Sequence, residues 1–202
     1  MDACNVLVTH PSVPISNVRE FIAFLKIRPG QVLYGSAGSG SSTHLAAELF
    51  KNLAAVDMLH VPYRGAADSV IALLGGQVHV MFAALPTALP HIRTGRLKGL
   101  GVTGSFRTRS APDLPTVSES GLPHYEMSSW QGIMVRAGTP DTRILILNNA
   151  IGQVLRTPEV VDMYAREGGD PVGSTPEHFS ALVGAEIHRW GKILRQTAIK
   201  AD

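Results

Sequence analysis

Val32-Leu33-Tyr34-Gly35-Ser36-Ala37-Gly38-Ser39-Gly40-Ser41-Ser42-Thr43-His44-Leu45 is the stretch that decides the fold. Val32 to Tyr34 read as a short apolar strand. The small residues from Gly35 to Ser42 favour a turn, because glycine and serine supply backbone freedom and local hydrogen bonds rather than packing. Leu45, Leu49, Phe50 and Leu53 then recur at helical spacing. A strand, a glycine-rich turn and an amphipathic helix in that order form the front half of a βαβ unit, and α/β folds place ligands at such turns.

The pattern repeats outward. Val6 to Val8, Met58 to Val61, Val78 to Phe82 and Leu97 to Val102 read as strands. Between them, Ser16 is placed to cap a helix with Val18, Phe21, Ile22 and Leu25 on one stripe, stopped at Pro29-Gly30. Gly65 to Leu74 reads as a helix ended by Gly75-Gly76, and Pro86 to Arg93 as a short one. Strands alternating with helices at this spacing predict an α/β fold with a mainly parallel, buried sheet.

The second half differs. Residues 104–124 carry Pro112, Pro115 and Pro123 among scattered Ser and Thr, which predicts a connection with little regular structure. Three helix starts share one signature: Thr139-Pro140-Asp141, Thr157-Pro158-Glu159 and Thr175-Pro176-Glu177. Threonine accepts from an orphan N–H, proline has no N–H to lose at the first turn, and the acid faces the positive helix end. The final helix places Phe179, Leu182, Val183, Ile187, Trp190 and Leu194 on one stripe. These helices have few strands to cover, so the sheet beneath them is expected to be incomplete.

Composition narrows the function. The 202 residues hold 18 Lys plus Arg against 16 Asp plus Glu, a net charge of +2 with no like-charge run, so no nucleic-acid footprint is expected. Charged residues are 17% and hydrophobic ones 45%, which is the composition of a folded chain rather than a disordered one. The single Cys4 excludes an internal disulfide framework and any multi-cysteine metal centre. No apolar run approaches the ~20 residues of a membrane-spanning helix. The opening Met1-Asp2-Ala3-Cys4-Asn5 has an acid where an export signal needs basic residues, so no such signal is expected in this chain.

The loop itself points to an anion. Three glycines admit close backbone approach, and the N–H groups at the start of a helix attract negative charge. Gly35 and Gly40 have phosphate-loop spacing, but Ser41 stands in the lysine position, so a nucleotide triphosphate would lack its charge partner. The dinucleotide pattern needs a third glycine where Thr43 stands, and no serine carries the glycines of a nucleophile elbow. What remains is a neutral donor cradle over Ser36, Ala37, Gly38, Ser39, Gly40, Ser41, Ser42 and Thr43, suited to one carboxylate. A plain Gly/Ser loop with a serine N-cap fits the same residues equally well. Tyr63-Arg64-Gly65 follows the next strand and should share the rim, where Arg64 is placed to add a cation, although a solvated arginine at a helix start is the simpler role. His44 is placed to bond a ligand, although a half-buried packing histidine is the simpler role. The eight histidines form no metal set and no nucleophile–base arrangement stands out in the sequence, although such groups can meet in space without a sequence signature, so neither metal, cofactor nor catalysis is expected.

The stretch from Val32 to Leu45 does not stand alone. His60-Val61-Pro62-Tyr63-Arg64-Gly65, Leu74-Gly75-Gly76-Gln77-Val78, Leu85-Pro86-Thr87-Ala88-Leu89-Pro90-His91-Ile92, Pro115-Thr116-Val117 with Glu119-Ser120-Gly121-Leu122-Pro123, and Pro171-Val172-Gly173 follow in order. Together they resemble the solute-binding receptors of tripartite tricarboxylate transporters, the Bug-type receptors. The resemblance implies a type II periplasmic-binding-protein fold: two α/β lobes around a cleft that closes on a small organic carboxylate. It implies a periplasmic, non-enzymatic receptor that hands its ligand to integral-membrane transporter subunits. A receptor acting as the ligand-sensing input of a signalling system is the alternative. The family's cleft is lined by residues matching the Gly/Ser loop, Tyr63-Arg64-Gly65 and the stretch after Phe82. There this chain has Ala83 and Ala84 where members often carry Asp or Asn, which favours plain carboxylates over amino acids. Residues 9–103 would form lobe two, and 1–8 with 104–202 an incomplete lobe one. Members carry an export signal and the first half of lobe one ahead of the segment matching Val6 to Pro14. Without them, apolar faces in the returning half should be exposed and ligand binding weak or unmeasurable.

Overall fold

The computed structural model describes residues 2–166 and 169–196. The predicted alternation is present. Strand β1 (Asp2–Thr9) leads to helix α1 (Val18–Lys26), β2 (Leu33–Ser36), α2 (Ser42–Ala54) and β3 (Leu59–Pro62). Then come α3 (Ala66–Leu74), β4 (Val80–Ala84), α4 (Leu85–Arg93) and β5 (Lys98–Val102). These five strands lie in the order β3-β2-β4-β1-β5. The sheet is mixed rather than mainly parallel: β2 runs parallel to β3 and β4, whereas β1 is antiparallel to β4 and β5. An apolar run shows that a strand is buried on both faces but not which way its neighbours point, so the sequence could not separate the two.

Side-chain alternation builds two cores from one sheet. Leu7, Val80 and Phe82 face α1 and α2, where they join Phe21, Leu25, Phe50 and Tyr125. Val6, Val8, Met81 and Ala83 face α3 and α4, against Leu73, Leu85 and Val102. Phe50 is the centre of the first core, with ring centroids 5.6 Å from Phe21, 5.5 Å from Phe82 and 6.0 Å from Tyr125. The buried Tyr125 hydroxyl donates to the Ala46 carbonyl at 3.0 Å and so ties the 122–127 segment to α2.

Helix α1 is capped by Asn17, not by Ser16. Asn17 takes the extended backbone a cap needs, and its Oδ1 accepts from the Glu20 N–H. Glu20 in turn accepts from the Ser16 N–H, so Ser16 serves only as a backbone donor.

No strand or helix interrupts residues 103–127, as the prolines predict. The chain then supplies β6 (Ser128–Trp130), α5 (Asp141–Val154), α6 (Pro158–Arg166), β7 (Gly169–Asp170) and α7 (Pro176–Gln196). Strands β6 and β7 pair with Asp2 to Cys4 of β1, so β1 runs from this second group of elements into the five-stranded sheet. The three Thr-Pro-acid starts all open helices, but only Thr175 accepts from an N–H, that of His178. The hydroxyls of Thr139 and Thr157 donate backward to the carbonyls of Arg136 and Val154.

The expected apolar exposure is present. Helices α5 and α6 bury no residue, and Ile133, Met134, Leu145, Ile146 and Leu147 are 46–69% exposed. On α7, Ile187 is 70% exposed and leaves the predicted stripe, while Phe179 and Trp190 keep it. The side chain of Leu194 lies outside the described residues. No described helix is long and apolar enough to cross a membrane.

Candidate functional site

Because β2, β3 and β4 run parallel, they end on one edge of the sheet, and each feeds a helix there. The N-termini of α2, α3 and α4 therefore share a rim whose partial charge is positive. Loop residues 37–41 and 63–65 carry no acid, and the first turns of α2 and α4 hold none. Asp68, exposed in the first turn of α3, is the acid closest in sequence to this rim. The two loops touch. The Tyr63 N–H donates to the Ser36 carbonyl at 3.0 Å. A Cβ placed on Gly38 would stand 3.4 Å from the Tyr63 carbonyl oxygen, and Gly38 has φ of +127°, so glycine is required there for conformation as well as proximity.

The loop is open to solvent but much of its hydrogen bonding is internal. Ser39 and Gly40 are exposed, and Ala37, Gly38, Ser41 and Ser42 are half-buried. Thr43 Oγ1 accepts the Ala37 N–H at 2.8 Å, Ser36 Oγ the Gly38 N–H at 3.1 Å, and His44 Nδ1 the Gly40 N–H at 3.0 Å. Ser41 caps α2 by accepting from the His44 N–H, and its own hydroxyl donates to the Gly38 carbonyl. The amides of Ser39, Ser42 and Thr43 have no acceptor among the described residues. The cradle thus keeps its shape through the amides of Ala37, Gly38, Gly40 and Ser41, and leaves those of Ser39 and Ser42, with their hydroxyls, on its open side and that of the buried Thr43 beneath them. Ser36 is fully buried and its hydroxyl is engaged internally.

The other sequence candidates fall around this rim. Tyr63 and Gly65 are half-buried beside the loop, and Arg64 is exposed. Ala84 is half-buried at the first turn of α4, where its carbonyl accepts from the Thr87 hydroxyl. Ala83 points into the core under α3 and α4.

Sequence reasoning missed what lies beneath the loop. Tyr34 and His60 are register partners on β2 and β3, so their rings project side by side on the α2 face, with centroids 4.8 Å apart. His44, in the first turn of α2, stacks on His60 at 4.0 Å with the planes 8° apart. His60 Nε2 lies 2.6 Å from Ser36 Oγ. Glu48 and Lys51 follow His44 on the same helix face, at spacings of four and seven. Glu48 accepts from the Tyr34 hydroxyl at 2.6 Å and from Lys51 at 2.8 Å. Burial, then Glu48, pushes the Tyr34 hydroxyl far above its usual range. Burial lowers both imidazoles, His60 to about 4, with His44 as its second cause. On the same edge the Asn5 side-chain nitrogen is buried without a partner among the described residues. Asn5 pairs with Ala84 across β1 and β4, a placement no sequence spacing reveals.

Among the described residues no cluster of His, Cys, Asp or Glu could hold a metal ion. A separate open depression of about 700 Å³ is lined by Phe106, Arg107, Arg109, Leu155, Arg156, Val161 and Pro171.

Comparison with known proteins gives a consistent result. The family profile described as Tripartite tricarboxylate transporter family receptor matches residues 1–199. Protein BugT of Bordetella pertussis is 35% identical over 195 residues, covering 96% of this chain and 60% of that protein. A solved structure of R. palustris Rpa4515 with adipate superposes with a TM-score of 0.86 at 32% identity, covering 98% of this chain and 66% of that one. MatC from Rhodopseudomonas palustris with bound malate gives 0.78 at 28% identity, covering 96% and 67%. The chain spans about three fifths of the length of the curated relatives that head this comparison.

Proposed function

From the premise that this chain belongs to the tripartite tricarboxylate transporter receptor family, we propose that its Gly/Ser loop holds one carboxylate of a small organic acid. The family consists of solute-binding receptors rather than enzymes. One observation carries the reading: three helix N-termini converge on a lysine-free rim where the Ser39, Ser42 and Thr43 amides are unoccupied. An organic carboxylate needs donors and a positive potential but no metal and no lysine. Arg64, exposed beside the loop, adds a cation at the mouth.

The relatives with adipate and malate point to a plain dicarboxylate. Ala83 and Ala84 fit that class, since neither offers a group to an amine. In the whole receptor, the lobe that carries the cradle comprises residues 9–103 together with Val6 to Val8, which lie in its sheet rather than with the other lobe, and the 117–127 segment, which packs on α1 and α2; the elements from β6 onward belong to the other. Closure of the two over the ligand would shift the population toward the state that a membrane transporter recognises, placing capture and delivery in the periplasm.

The test is calorimetry of this chain with adipate, malate, succinate and citrate, and with a diamine of matching length. The cradle alone supplies a few charge-assisted hydrogen bonds, so dicarboxylate binding is expected near 1 mM, roughly 4 kcal/mol. The diamine should give no heat of binding. Equal binding of diamine and dicarboxylate would overturn the reading.

A further inference from the structure

We infer that His44 and His60 are positioning residues of the cradle: stacked as neutral rings they hold loop 36–42 in shape, and protonation of the pair releases it. That this matters for a ligand rests on the carboxylate reading above; the hold on the loop does not.

The geometry fixes the proton positions. His44 Nδ1 accepts the Gly40 N–H at 3.0 Å, so it carries no proton and the ring is neutral with its hydrogen on Nε2. A proton on Nδ1 would set two donors face to face and expel Gly40. His60 Nε2 holds Ser36 Oγ, which in turn accepts the Gly38 N–H. Two neighbouring turns of the loop thus hang from two rings 4.0 Å apart, which cannot both charge without repulsion.

The surroundings keep the pair neutral at ordinary pH. Tyr34, from β2, stacks on His60 and offers no charge. From α2, Glu48 favours the charged rings, but its carboxylate is already engaged by Tyr34 and Lys51, and Lys51 opposes them. Asp57, beyond α2, pairs with Lys51 at 3.7 Å. From the 63–65 loop and α3, Arg64 and Asp68 make no ion pair to either ring among the described residues. Burial lowers both imidazoles, His60 to about 4. Because the folded values lie below the unfolded ones, the neutral stack contributes fully above about pH 6.5 and its contribution is lost as pH falls toward 4.

The experiment needs no ligand. Nitrogen NMR of the full chain should show His44 as the Nε2–H tautomer near pH 7.5. The exchange protection of the Gly40 amide, corrected for intrinsic rate, should fall at least about fivefold by pH 5, while that of the Val8 amide in β1 holds. In the His44→Asn, His60→Gln double variant, amide oxygens replace the accepting nitrogens, so Gly40 protection should survive acid within about twofold. His44→Ala should lose it at every pH. An Nδ1–H tautomer, constant Gly40 protection in the wild type, or an equal acid loss in the double variant would each overturn the inference. A failed dicarboxylate titration with a positive result here would remove the ligand reading and leave the positioning role in place.

Discussion

Truncating Phe50 to alanine lowers the free energy of unfolding by about 3–5 kcal/mol in urea titration. The ring is fully buried and touches three other aromatic rings, so the cavity is walled by Phe21, Phe82 and Tyr125. Those walls belong to α1, β4 and the 122–127 segment, which the sheet and the Tyr125–Ala46 hydrogen bond hold in place, so collapse around the hole is restricted. A loss of that size is a large share of the ~5–15 kcal/mol typical of a folded domain. Ile187→Ala, at a side chain 70% exposed, should stay within about 0.5 kcal/mol and serves as the control. A loss under about 1 kcal/mol for Phe50→Ala would mean that the aromatic junction is not the centre of this core.

The second large effect falls on binding. Gly40 has φ of +75°, a left-handed conformation that costs a β-branched residue roughly 1–3 kcal/mol. Gly40→Val is therefore expected to swing the loop out of its present turn and to break the Gly40–His44 hydrogen bond. Gly40 is exposed at the mouth, so the core should be spared and the fold should persist by circular dichroism. Dicarboxylate affinity should drop more than about tenfold, at least ~1.4 kcal/mol. Unchanged affinity would show that the shape of this turn is irrelevant to the ligand.

Much of this arrangement could be read from the chain, and the reasons are local. Val32 to Tyr34, the glycines after it and the Leu45/Leu49 spacing each carry a propensity or a period that acts within a few residues. The family motifs from His60 to Gly65 and from Leu85 to Ile92 made the resemblance specific. What could not be read depends on juxtaposition. His44 and His60 lie on a helix and a strand, and nothing in their spacing relates them. They meet because Tyr34 and His60 share a register position and because α2 starts over that pair. The antiparallel direction of β1 is likewise a property of the whole sheet. The threonines before Pro140 and Pro158 match a capping signature, yet their hydroxyls turn back to carbonyls three residues earlier. Side-chain hydroxyls have both options, and sequence does not choose between them. The loop has the same ambiguity: its composition announces donors, but only the folded chain separates the amides spent on Thr43, Ser36 and His44 from those left open.

The most direct measurement is a backbone amide NMR titration of this chain with adipate at pH 7.5. If an organic acid seats on the free donors of this turn, the largest shifts will fall on Ser39, Ser42 and Thr43, with smaller ones at Tyr63 to Gly65. Movement confined to the arginine-lined depression around Arg107 and Arg156, with the 36–44 amides silent at saturation, would contradict the account.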